Sequence, residues 1–203
     1  MIEGDFAFRP MLPKDIPRVV DLFHRYMPYS QFARFGKPFL TALFEGLVSS
    51  PWSLELVTPS EDTVEGFITA TFSSEKMMGD ILSRQSHHLL GGLVKGGTGA
   101  VKAIPKAAEN LLYTRRTSLP GIQEELMFIV VDPETRQRGL GRSLIITTLN
   151  ELRDRGVDTV KVSAVAGNKS VRKLLGKLGF KEAMEFKFHG EEMILYTGST
   201  TVE

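Results

Sequence analysis

Apolar residues fall into two rhythms along the chain. Ile16, Val19, Val20, Phe23 and Tyr26 recur at steps of three and four, as do Phe39, Leu40, Leu43, Phe44 and Leu47. That period turns one face of a helix toward a core. It predicts a helix capped by Asp15, with Pro17 tolerated in its first turn, and a second over Pro38–Val48. Elsewhere, short runs rich in β-branched and aromatic residues are bounded by turn formers. Phe6–Arg9, Trp52–Thr58, Val64–Phe72, Leu126–Val131 and Thr159–Val165 are expected to be strands. Met184–Phe188 and Met193–Tyr196, either side of His189-Gly190, predict a C-terminal hairpin. The helical period returns over Ser143–Arg155 and again from Asn168 to Gly179-Phe180. Strands alternating with helices in this way indicate an α/β class.

One segment interrupts the alternation. Residues 73–123 hold helical runs, Met77–Leu90 and Val101–Tyr113, separated by Gly91, Gly92, Gly96, Gly97 and Gly99. A connection of this length far exceeds the usual ~4–6 residues, so it reads as a helical insertion within a single domain spanning 1–203. Between Lys76 and Arg116 it carries seven Lys or Arg against two Asp or Glu. Such a face suits an anionic acceptor, a membrane surface or nucleic acid, but a solvated helical face is the favoured reading. Its expected place is over the acceptor side of a cleft, with a packing elaboration or a homodimer contact as the competing reading. Leu82 and Leu90, like Ile81, Leu89, Leu111 and Leu112, need apolar cover.

Composition narrows the function classes. The net charge of the 203-residue chain is +1, so no global field selects nucleic acid or a membrane. There are no cysteines, which excludes disulfides, a thiol nucleophile and thiolate metal sites and fits a cytoplasmic setting. Met1–Asp5 lacks an apolar signal core, and no apolar run approaches the ~18 residues needed to cross a bilayer. His87 and His88 are adjacent and diverge on a helix, with no partner one turn away, so no metal site is expected.

The most specific chemistry lies between the strand ending at Val131 and the following helix, in Arg136-Gln137-Arg138-Gly139-Leu140-Gly141-Arg142. Glycines let backbone N–H groups approach phosphate oxygens, a helix start aims unpaired donors at the same spot, and arginines add charge-assisted donors. Basic residues at a helix N-terminus oppose its dipole unless an anion binds there. No Gly-x-x-x-x-Gly-Lys-Ser/Thr string exists, and the third glycine of a dinucleotide fingerprint is replaced by Leu144.

Arg136-x-x-Gly139-x-Gly141 instead resembles the coenzyme A loop of the GNAT acyltransferases. Thr159–Val165 and then Asn168 through Gly179-Phe180 are similar to that family's next strand and helix, in order and spacing, over roughly residues 124–197. Residues 1–72 match in element order alone. The resemblance implies a mixed, mostly antiparallel sheet flanked by helices, with the insertion between strands three and four. It implies an acetyl-CoA-dependent N-acetyltransferase acting on a primary amine of a small molecule or peptide, without a metal. The alternatives are another acyl-CoA, a hydroxyl acceptor, or a coenzyme A-binding domain without turnover.

It also implies roles for particular residues. The edge of Ile129, Val130 and Val131 is expected to meet the pantetheine arm, with a bulge splaying this strand from the next. Arg136, Gln137, Arg138, Gly139, Leu140, Gly141 and Arg142 are expected to hold the pyrophosphate. Asn168 caps its helix and contacts the cofactor, while Lys169 and Lys173 are taken as solvated. Counting back from the first loop glycine, the catalytic Glu of histone-type relatives falls on Glu125. Glu124 points the other way, because adjacent strand residues alternate. The family's thiolate-protonating Tyr is replaced by Leu175, which leaves water or another hydroxyl, with Tyr196 and Tyr113 as candidates.

Overall fold

The computed structural model describes residues 6–28, 30–59, 63–95, 117–135, 139–188 and 190–201. Strand β1 (Arg9–Pro10) leads through a tight turn at Pro13–Asp15 to helices α1 (Ile16–Tyr26), α2 (Gln31–Arg34) and α3 (Lys37–Ser49). The hairpin β2 (Ser53–Pro59) and β3 (Val64–Thr71) precedes α4 (Ser74–Lys95). Strand β4 (Glu125–Val131) and α5 (Leu140–Arg153) follow, then β5 (Thr159–Val165) and α6 (Lys169–Lys177). Strands β6 (Lys181–Phe188) and β7 (Glu191–Ser199) close the chain.

The strands form one sheet in the order β1-β2-β3-β4-β5-β7-β6. Every neighbouring pair is antiparallel except β4 and β5. One face packs on α1, α3 and α4 through an aromatic core: Phe23 meets Phe128 edge-on at 5.0 Å and Phe44 at 5.7 Å, and Phe44 meets Phe67 at 5.5 Å. The opposite face packs on α5 and α6 through Leu126, Leu144, Leu149, Val160, Val162, Leu175 and Phe180. On β7 a side chain at Gly198 would lie 2.6 Å from the Phe180 ring, so the missing Cβ is what admits that ring.

Several expectations shift. The first strand is shorter and later than Phe6–Arg9. Its antiparallel partner ends at Thr58-Pro59, and Pro59 has no N–H to offer the residues before Arg9. Asp15 stands at the N-cap of α1 but gives it no side-chain bond. Pro17 removes one of the donors such a cap would reach. The carboxylate instead accepts from the Leu12 amide at 2.8 Å and pairs with Arg9 at 2.6 Å. The four-residue α2 has too few positions to show a period. The expected run Val101–Tyr113 and the glycines at 96, 97 and 99 lie outside the described residues.

The described half of the insertion contributes to the core. Helix α4 lies along α3, with Met77, Ile81 and Leu89 buried in the aromatic cluster. Gly46 of α3 is the contact point: a Cβ there would come within 2.9 Å of Ile81. Leu82 and Leu90, which the sequence also required to pack, are 47% and 62% exposed.

Candidate active site

The sheet opens where the chemistry was expected. Between β3 and β4 the register slips at Thr69/Ala70, so that Phe128 and Leu126 are paired and Met127 is the extra residue. A bulge of this kind bends its strand. Parallel pairing of β4 with β5 is confined to Glu125↔Lys161 and Leu126↔Val162, and beyond Leu126 the strands diverge. The segment Ile129, Val130, Val131 thus borders a slot. Val130 is buried toward the aromatic core, and Ile129 and Val131 are partly buried on the α5 face.

Helix α5 begins beside the carboxyl end of β4. Gly139 is its N-cap, at φ 82°, a left-handed conformation that favours glycine and brings no side chain of its own to cap the helix. Leu140 is the first helical residue and anchors the turn in the core, and Arg142 is half-buried. Gly141 is different. Its backbone is helical, and an added Cβ would make only ordinary contacts, 3.7 Å to Val131 and 3.9 Å to Leu174. Neither its conformation nor its contacts with the described residues ask for glycine there. Arg136, Gln137 and Arg138 lie outside the described residues.

Asp132 fixes the exit of β4. Its carboxylate accepts from Arg18 at 2.7 Å, the Tyr26 hydroxyl at 3.3 Å and the Glu134 amide at 3.2 Å. Burial works to raise this carboxyl, but those donors outweigh it and hold it below the ordinary carboxylate range. The turn toward α5 is thereby tied to α1. An acid directly after an apolar strand was the available signal, and its partners, far away in sequence, gave none.

Asn168 caps α6, accepting from the Val171 amide at 3.2 Å. With Val165, Gly167 and Glu191 it lines an open cavity of about 280 Å³ at the carboxyl end of β5. Lys169 and Lys173 are exposed. Leu175, at the family's Tyr position, is fully buried in the core under α6. Tyr196 is also buried. Its hydroxyl donates to Glu182 at 3.0 Å and accepts from Arg172 at 3.1 Å, and Arg172 in turn donates to the Ala166 carbonyl. That network locks α6 to the outer strands, so Tyr196 is a packing residue and not a free acid. Tyr113 lies outside the described residues.

Glu125 opens β4 and is 3% exposed. Its Oε2 accepts from the Ser74 hydroxyl at 3.1 Å and lies 3.8 Å from the Lys161 ammonium, itself 4% exposed. Lys161 also donates to the Thr117 carbonyl at 2.9 Å. Glu124 turns away, its carboxylate accepting from the Gln123 amide. On the same face as Glu125, Glu55 of β2 and Thr69 of β3 are cross-strand partners, and each has a buried oxygen, Oε1 and Oγ1, with no hydrogen-bond partner. Burial pushes the Glu55 carboxyl up to about 7, against a weaker pull from Ser53. Among the described residues no cluster of His, Cys, Asp and Glu could hold a metal.

A family model of FR47-like proteins matches residues 104–188. A curated relative, the ribosomal protein bS18-alanine N-acetyltransferase of Escherichia coli K12, is 40% identical over 63 residues, which is 30% of this chain and 43% of that protein. A solved structure described as an acetyltransferase of the GNAT family, from Desulfovibrio desulfuricans, aligns with 96% of this chain and 99% of its own at a TM-score of 0.57 and 15% identity. The chain has the fold of the GNAT acetyltransferases. Arabidopsis thaliana NAA60 in complex with acetyl-CoA shares the fold over 96% of this chain and 98% of its own, at a TM-score of 0.60 and 15% identity. The chain spans under half the length of the curated relatives it matches, and GNAT folds at such low identity have shape in common more than acceptor. No described helix is long and apolar enough to cross a membrane.

Proposed function

We propose that this protein transfers an acetyl group from acetyl-CoA to a primary amine, in direct transfer between two bound substrates. The observation that carries this reading is the slot between β4 and β5, which opens beside the start of α5 at Gly141, a glycine that its contacts with the described residues do not require. The pyrophosphate of the co-substrate belongs at Gly139, Leu140, Gly141 and Arg142, next to Arg136, Gln137 and Arg138. The pantetheine arm belongs along Ile129, Val130 and Val131, where a slot-facing amide is placed to polarise the thioester carbonyl. Asn168 borders the same opening. Protein amines, as in the bS18 enzyme, and small-molecule amines are both suitable acceptors.

An amine of lysine type arrives protonated, with a pKa about 10, and has to lose that proton before it attacks. Glu125 is the residue we assign to receive it, directly or through a water. Leu175 has no proton to give the departing thiolate, which leaves that step to water. Because Glu125 is buried and paired, a coenzyme A-binding domain without turnover is the second reading. Incubation with labelled acetyl-CoA and a panel of peptide, polyamine and amino-sugar acceptors separates the two. Label transfer to an amine supports the enzyme; tight coenzyme A binding with no transfer to any acceptor favours the second.

A further inference from the structure

Resting on the assignment of Glu125 as base, we propose that Lys161 is a positioning residue that keeps Glu125 ionised and links that state to the segment between β3 and β4. The two residues are direct partners in the short parallel ladder. Their neighbours Leu126 and Val162 point into the α5 core, so Glu125 and Lys161 share the other face. A carboxylate this deeply buried takes up a proton unless a cation compensates it. Lys161 is that cation. At 3.8 Å the ammonium acts through its charge more than through a shared proton, since a charge-assisted hydrogen bond is shorter, about 2.7–2.9 Å. The carboxylate is therefore kept charged without being locked to the lysine.

The pair also touches the chain at two telling places. Ser74, which donates to Glu125, is the residue at which α4 and the insertion begin. Thr117, whose carbonyl holds Lys161, lies in the same segment ahead of β4. One ion pair thus touches the segment at two places, and a shift at either moves a ligand of the base or of its counter-ion. Other titratable groups near this face are few. Glu55 on β2 stands two strands away, where its negative form opposes a second charge. On α4, Glu75 is exposed, Lys76 lies over the Trp52 ring at 4.3 Å, and Asp80 pairs with Arg84 at 2.7 Å. Lys37 and Glu45 of α3 are both exposed, and Lys37 is paired with Asp21.

The test is the pH dependence of kcat/KM in Lys161→Met, with Lys161→Gln as a second variant should the first not fold. Removal of the ammonium is expected to move the acid limb upward by at least about one pH unit, so that kcat/KM on that limb falls about tenfold and recovers as the pH is raised. The KM for acetyl-CoA stays unchanged, and Lys161→Arg retains the parental limb. A merely structural lysine lowers activity evenly at all pH values, and that outcome, or an unmoved limb in folded protein, overturns the proposal. Glu125→Gln distinguishes the two levels: if it leaves turnover intact, the base assignment itself fails, whereas a dead Glu125→Gln beside an unshifted Lys161→Met rejects the lysine alone.

Discussion

At Gly141 the fold leaves room that the sequence does not fill. Gly141→Ala is expected to melt at the parental temperature, because its Cβ meets Val131 and Leu174 at ordinary distances. It should nevertheless bind coenzyme A about tenfold more weakly, a loss of ~1.4 kcal/mol. Equal affinities by calorimetry would remove the phosphate site from the start of α5. Glu125→Gln keeps the bond from Ser74 and loses the proton acceptor, so turnover should fall about a hundredfold with coenzyme A affinity preserved. Glu124→Gln, changed on the opposite face, should alter turnover little, and a comparable loss in both would locate the base elsewhere. Gly139, Gly141 and Glu125 could be singled out from the sequence because the loop spacing is local. Lys161 was not. In the string Thr-Val-Lys-Val-Ser it reads as the wet side of a strand, and its burial depends on Glu125 and Thr117, which only the folded chain brings near. Leu175 shows the converse: a family alignment assigns it to the cleft, while its burial under α6 makes it core.

Elements were read most securely where a period ran through a whole segment. Helix α3 and strand β5 were found almost to the residue, since each shows one continuous pattern. Strand β1 was misplaced because its limits are set by where β2 ends, not by its own residues. Helix α4 was recognised as a helix, with cover over the acceptor cleft and a packing elaboration or homodimer contact as competing readings; Met77, Ile81 and Leu89 pack its buried stripe on α3. Its amphipathic stripe indicated that it packs but not on what. Ile81→Ala should therefore destabilise the protein by about 2–4 kcal/mol in urea denaturation, with acetyl transfer per folded molecule unchanged. A cost below about 1 kcal/mol would mean that α4 is not part of the core. By the same logic, replacing residues 76–116 with a short linker exposes the aromatic cluster, and a loss of folding is the expected result.

The molecule as a whole should carry a pH signature from Glu55. Its carboxyl titrates near 7 when folded and near 4.5 in the unfolded chain. The unfolded state therefore releases that proton first, and stability is greatest below about pH 4.5 with respect to this group. It declines as the pH rises through 7, by up to about 3 kcal/mol. Glu55→Gln should remove that decline, so its melting temperature should exceed the parent's at pH 8 and approach it at pH 5. Parallel stability curves for the two proteins across this range would show that Glu55 ionises as freely in the fold as outside it.

The short ladder between β4 and β5 bears on how the sheet holds together. Strands β1 to β4 and strands β5 to β7 are each continuously hydrogen-bonded, yet only two residue pairs join the one set to the other. In mechanical terms the sheet is two panels with a hinge at one corner, and Glu125 and Lys161 are the pin. A molecule lying in the gap and bonded to both margins would act as a removable strand, completing the sheet while bound and leaving two panels when it departs.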